Sequence, residues 1–148
     1  MSIREAAIAA LHGQLATALA VRSPAPLVLR GETVPQRIPA GGLVVLRDGE
    51  TVEEAAMLSP LSWQIEQRAE VEVTVAGATP AARHALLDAL LVDIAAAITA
   101  DRTLGGAVEW AHPGAATFED VEFEGAAAAR AALVPVTLWF TVAGSPLA

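Results

Sequence analysis

Apolar residues recur every four positions at the start of the chain. Ile3, Ala7, Leu11, Leu15 and Leu19 form a single stripe, the spacing of one face of an α-helix. Ser2-Ile3-Arg4-Glu5 matches the S-x-x-E capping box, in which the hydroxyl and the carboxylate satisfy backbone N–H groups that no helical turn reaches. The pattern predicts a helix that starts at once and ends near Val21, because Pro24 and Pro26 forbid its continuation. The period changes to two over Ser62–Gly77. Trp63, Ile65, Ala69, Val71, Val73 and Val75 point one way, and Gln64, Glu66, Arg68, Glu70, Glu72 and Thr74 the other, as in a half-buried strand. Such a strand would span roughly 50 Å at about 3.3 Å per residue, far beyond the common length. It must bend or reach past its own domain.

The four-residue spacing returns after Thr79-Pro80, an N-cap followed by an N1 proline. Leu86, Leu87, Leu90, Leu91, Ile94 and Ile98 form the apolar face of a helix over Pro80–Asp101, with Arg83, His84, Asp88 and Thr99 mostly outside it. Leu104 is placed to fold back onto that face, and Gly105 or Gly106 can supply the positive φ of a C-terminal cap. Val108 and Trp110 then alternate into the sheet within a strand over Ala107–Ala111, and His112-Pro113-Gly114 reads as a turn. Thr117–Glu124 is an acidic strand and Ala131–Ala143 the last one. Earlier, Pro26–Arg30 and Gly42–Arg47 read as short strands, the second ending in the turn dipeptide Asp48-Gly49. Thr51–Met57 fits either an edge strand or a short helical turn. Residues 31–61, punctuated by prolines, are expected to form an arm or hairpin that touches another molecule. The order predicts an α+β fold: two amphipathic helices packed on one face of a mostly antiparallel (mixed) β-sheet, with a long extended arm, in one domain over 1–148.

Composition narrows the function. The chain has 148 residues, 54% of them hydrophobic but only 4% aromatic, so alanine supplies much of the apolar content. Lysine is absent and all nine basic residues are arginines, scattered singly, against a net charge of -8. That argues against a protein that grips nucleic-acid phosphates, which needs a basic stripe. Without cysteine there is no disulfide, thiolate nucleophile or cysteine-based zinc site. The opening capped helix does not read as a secretory signal, and Ala126–Ala143, broken by Arg130 and Pro135, reads as a buried strand and not as a membrane span.

Candidate chemistry is sparse. His12, His84 and His112 stand alone, and His84 with Asp88 offers two metal ligands where a transition-metal site takes three or four. Ser59 and Ser62 lie in no nucleophile elbow. Gly41-Gly42 and Gly105-Gly106 lack phosphate-loop context. Glu53-Glu54 and Glu119-Asp120 would diverge in a strand. No catalytic residue, metal ligand or cofactor site is assigned. The carboxylates Glu66, Glu70 and Glu72, with Asp120, Glu122 and Glu124 on the later strand, make either a solvated face or the wall of a passage along which DNA slides without ion pairing.

The opening helix and short strand, Gly41–Glu50 (GGLVVLRDGE), Leu58–Glu72 (LSPLSWQIEQRAEVE), Asp101–Trp110 (DRTLGGAVEW) and Val134–Thr141 (VPVTLWFT), taken in order, resemble the tail-terminator, or tail-completion, proteins of long-tailed bacteriophages and prophages, also called minor tail proteins. The resemblance implies a small α+β subunit that assembles into a ring, typically a hexamer. It would cap the head-proximal end of a tail tube in the virion after assembly in the bacterial cytoplasm, stop tube polymerisation and present a surface to the head connector. It implies no enzyme activity, no cofactor, no membrane, and DNA passing through without specific binding. Arg37, Arg47, Asp48, Glu50, Glu53 and Arg68 are the expected intersubunit or tube contacts, and Glu66, Glu70 and Glu72 the expected lumen-facing residues. The alternatives are another neck or tube component, or a small enzyme or ligand-binding domain whose site forms between subunits from His84, Asp88 and His112.

Overall fold

The computed structural model describes residues 1–31, 37–121 and 128–148. The elements follow as α1 (Ile3–Leu19), β1 (Leu27–Arg30), β2 (Leu43–Leu58), β3 (Leu61–Ala76), α2 (Pro80–Ala100), β4 (Trp110–Pro113), β5 (Thr117–Val121) and β6 (Ala129–Ala143). The strands form one six-stranded mixed sheet in the order β1-β2-β3-β6-β4, with β5 also paired to β6. Among the described strands β1 and β2 alone run parallel, and the other pairings are antiparallel. β3 and β6 pair over their whole length, from Ser62↔Ala143 to Ala76↔Ala129, so β4 and β5 share the other side of β6.

Both helices start where the sequence predicts, although the expected capping box closes on one side only, because the Glu5 carboxylate is taken by Arg30. Ser2 Oγ accepts from the Glu5 N–H at 3.2 Å, and Thr79 Oγ1 from the Ala82 N–H at 3.2 Å, each satisfying a donor of the open first turn. The buried line of α1 is Ala7, Ile8, Leu11, Leu15 and Leu19, and Ile3 is partly exposed. The helix ends at Leu19, two residues before the expected Val21. α2 buries Leu87, Leu90, Ile94 and Ile98. Both helices pack on one face of the sheet, against Ile65, Ala69, Val71, Val73 and Val75 of β3 and Val134, Val136, Leu138, Phe140 and Val142 of β6. Among the described residues no helix lies on the opposite face.

Several local expectations are corrected. Asp48-Gly49 is no turn. β2 runs straight through it as a bulge, with register shifts between Arg47 and Glu50 and again between Thr51 and Glu53. Gly49 at φ 69° supplies the left-handed residue that such a bulge takes. Gln67, almost fully buried, braces the bulge from β3: its amide donates to the Asp48 carbonyl at 2.7 Å, and its other end meets the Thr51 hydroxyl at 2.9 Å. The expected arm is thus the outer half of a hairpin, in which Thr51–Met57 is edge strand and not helical turn, while residues 32–36 lie outside the described residues.

α2 stops one residue early, at Ala100, because Asp101 turns out of the helix into an extended conformation. Its carboxylate collects the Thr103 hydroxyl at 2.7 Å, the Gly105 N–H at 2.8 Å and the Thr103 N–H at 3.0 Å. These bonds, the Thr103 hydroxyl first, hold it below the usual carboxylate range. Leu104, Gly105 and Gly106 all take positive φ, and Leu104 is buried in the core. The loop reverses the chain so fully that the next strand begins at Trp110, not Ala107. Val108 is buried ahead of the strand, and Trp110 faces out. His112 and Pro113 belong to β4 rather than to a turn. Proline is tolerated there because β4 is an edge strand, where a missing N–H breaks no ladder. Pro135 sits inside β6 for a related reason. Its carbonyl accepts from the Gly114 N–H at 2.7 Å, so its nitrogen faces the junction between β4 and β5.

Candidate functional site

Register fixes what shares the helix-free face. Residues opposite one another in a pleated pair point the same way. Glu53, Glu66, Trp139 and Trp110 therefore cross β2, β3, β6 and β4 in one row. Glu50, Arg68, Thr137 and His112 form the next row, and Arg47, Glu70 and Pro135 the row beyond. Val45, Glu72, Leu133 and Thr117 follow. Three expected carboxylates, Glu66, Glu70 and Glu72, thus lie together on a face no helix covers. Glu53 extends the set on β2. At the other edge Glu109 accepts from the Thr141 hydroxyl at 2.6 Å. Arg47 reaches Glu72 only at 3.4 Å, a long pair at the surface that stabilises little. Glu53, Glu66 and Trp139 of the first row, with Glu109, border an open depression of about 190 Å³.

The remaining expected residues divide. Glu50, Glu53 and Arg68 are exposed on the hairpin, and Arg37 is exposed away from these rows. Asp48 is engaged within the chain. The Arg30 guanidinium forks to Glu5 at 2.6 and 2.8 Å and to Asp48 at 3.1 Å, tying α1, β1 and the β2 bulge together. These bonds hold the Glu5 carboxyl below its usual range and raise Arg30 above an already high value. A depressed carboxylate contributes stability that is complete above the ordinary carboxylate range and is lost as pH falls through the lowered value. Arg30→Met should therefore be less stable than the parent at neutral pH, with the gap closing as both are acidified. Urea titrations over a pH series check this, and a gap independent of pH would show that packing, not charge, is the role of Arg30.

Glu122 and Glu124 lie outside the described residues. Asp120 pairs with Arg130 at 3.1 Å and points to the opposite face from Glu119, as the alternation of β5 requires. His84, Asp88 and His112 do not meet. The first two are exposed in the opening turns of α2, whereas His112 lies on the helix-free face beside Arg102, which follows the far end of that helix. About 24 Å of helix separates His84 from the end of α2 at Ala100. Among the described residues no three His, Cys, Asp or Glu side chains are grouped to hold a metal ion. No helix among them is long and apolar enough to cross a membrane. An open groove of about 510 Å³ between the helices is lined mainly by Ala10, Gly13, Ala18, Ala97 and Ala100. The amide of Gln14 there is spent on the Ala97 and Asp101 carbonyls.

Sequence reading missed the far side of the sheet. Trp110 is half exposed, and Arg102 lies over its ring at 4.6 Å, a cation–π contact. Arg102 also donates to the Ala111 carbonyl at 3.0 Å. No local pattern announces this group, because its members come from a loop and an edge strand.

No family model matches the sequence, and no curated protein is a significant match to it.

Proposed function

We propose that the protein is a structural assembly subunit of the phage tail-terminator kind, which closes into a ring, caps the head-proximal end of a tail tube and leaves a central passage for DNA. The observation that carries this reading is the helix-free face with its rows of carboxylates, backed by one long sheet and a single layer of helices. A face of that kind suits the wall of a DNA conduit: it repels phosphates and offers them no ion pairs. The strands lie along the passage and the helices on the outside. Six sheets, each four strands across at the level of β4, set edge to edge at ordinary strand spacing or wider, close a ring at least about 37 Å across between backbones. The hairpin of β2 and β3, exposed along β2 from Gly49 to Leu58, is the natural element to meet a neighbour or the tube.

Native mass by light scattering, together with negative-stain imaging in the presence and absence of tube ends, tests the reading. Rings, free or seated on tubes, are the expected result. A compact monomer or dimer that stays unassembled at high concentration and on tube ends, and that carries a stoichiometric small molecule, would overturn it in favour of an enzyme or binding domain.

A further inference from the structure

We infer that neighbouring copies meet at opposite edges of the sheet, the acidic outer stretch of β2 in one copy facing the Arg102, Trp110 and His112 group on β4 of the next. This rests on the ring reading, and it follows from which face lines the passage. If the helix-free face points inward and the helices outward, the surfaces left to touch a neighbour are the two lateral edges. A closed ring repeats one heterologous contact, so the two edges must complement each other.

They do so in level, direction and charge. β1 covers β2 only at Leu43–Leu46, and among the described residues no strand pairs with the outer side of β2 beyond that. Gly49–Leu58 is exposed throughout. On the opposite edge β4 occupies the same rows: Glu53 is level with Trp110 and Glu50 with His112. β2 and β4 run in opposite directions, since three antiparallel pairings separate them. The β2 edge presents Glu50, Glu53 and Glu54, and the β4 edge presents the Arg102 guanidinium and a half-exposed Trp110, the carboxylate there, Glu109, being held back by the Thr141 hydroxyl.

The contact is made by side chains and not by adding a strand. Arg102 already occupies the Ala111 carbonyl, and Pro113 has no N–H, so the β4 edge offers little backbone for pairing. The two bulges of β2 break its ladder likewise, the usual guard against uncontrolled edge pairing. Arginine facing carboxylates beside an indole provides a directional contact, and the blocked backbones keep the sheet from growing without register.

The chain contains no cysteine, so introduced thiols report cleanly. Glu50→Cys and His112→Cys are both exposed substitutions that leave Glu53 and Arg102 in place. Mixed and treated with a short bifunctional maleimide, which spans the gap a side-chain contact leaves between backbones where a disulfide would not, the two single variants should give a crosslinked pair containing one of each. The double variant should give a ladder of covalent oligomers ending at the ring. Glu53→Arg should raise the concentration needed for half-assembly at least tenfold, and Arg102→Glu in the same chain should recover part of it. Rings that form but yield no mixed crosslink, or only Glu50→Cys pairs, would overturn this edge contact and leave the ring reading standing. Absence of rings from the unmodified protein, even on tube ends, would overturn both.

Discussion

Gly49→Val is expected to lower stability by about 4 kcal/mol or more, a range that few mechanisms reach, a violated backbone position among them. Gly49 sits at φ 69°, and a Cβ added there would lie 1.7 Å from the Arg68 carbonyl oxygen and 2.8 Å from its carbon. Those atoms belong to backbone, not to a side chain that can swing away. Arg68 is clamped between β2 and Thr137 of β6, so β3 has nowhere to retreat. Beta-branched valine also tolerates the left-handed region least. The outcome should be loss of the hairpin beyond Arg47 or failure to fold, read by urea denaturation followed by circular dichroism. A loss under about 1 kcal/mol, the level of ordinary surface changes, would show that β2 does not cross β3 through this bulge.

Leu138→Ala should cost about 2–5 kcal/mol, the usual range for truncating a buried leucine. Leu138 is fully buried on the helix-covered face of β6. Its register partners are Gln67 on β3 and Ala111 on β4. Neither can fill the space: Gln67 is committed to the bulge through its amide, and Ala111 has no side chain to extend. The cavity should therefore persist and the cost fall in the upper half of the range. Equilibrium unfolding measures it, and a cost near that of a surface substitution would place Leu138 outside the core. Because β6 pairs with β3, β4 and β5, the same change should also loosen the edge that carries Trp110.

The two helices and the long strand were legible because each rests on a periodic pattern that tertiary structure did not override. Ser2 and Thr79 announced the helix starts, and the alternation of Trp63 to Val75 announced both the strand and the common side of Glu66, Glu70 and Glu72. Asp48-Gly49 misled because a turn dipeptide and a glycine bulge have the same local chemistry. What decides between them is distant: the buried Gln67 amide on the Asp48 carbonyl and the Arg30 fork on the Asp48 carboxylate. His112-Pro113 misled in a similar way, since proline marks a turn or an edge, and only the pairing with β6 says which. The Arg102, Trp110 and His112 group could not be read at all. Its partners in the same rows sit on β2 and β3, some fifty residues earlier in the chain, and cross-sheet register is not written in any local window.

The placement of the three tryptophans has an optical consequence. The chain has no tyrosine, so its ultraviolet emission comes from Trp63, Trp110 and Trp139 alone. None lies among the fully buried side chains. Trp63 hydrogen-bonds the Gly144 carbonyl at 3.3 Å near the hairpin, and Trp110 and Trp139 stand opposite each other beside the row of Glu53 and Glu66. Intrinsic fluorescence in this protein thus combines one reporter packed against the core, Trp63, with two on the open face of the sheet, which are sensitive to whatever settles against the strands.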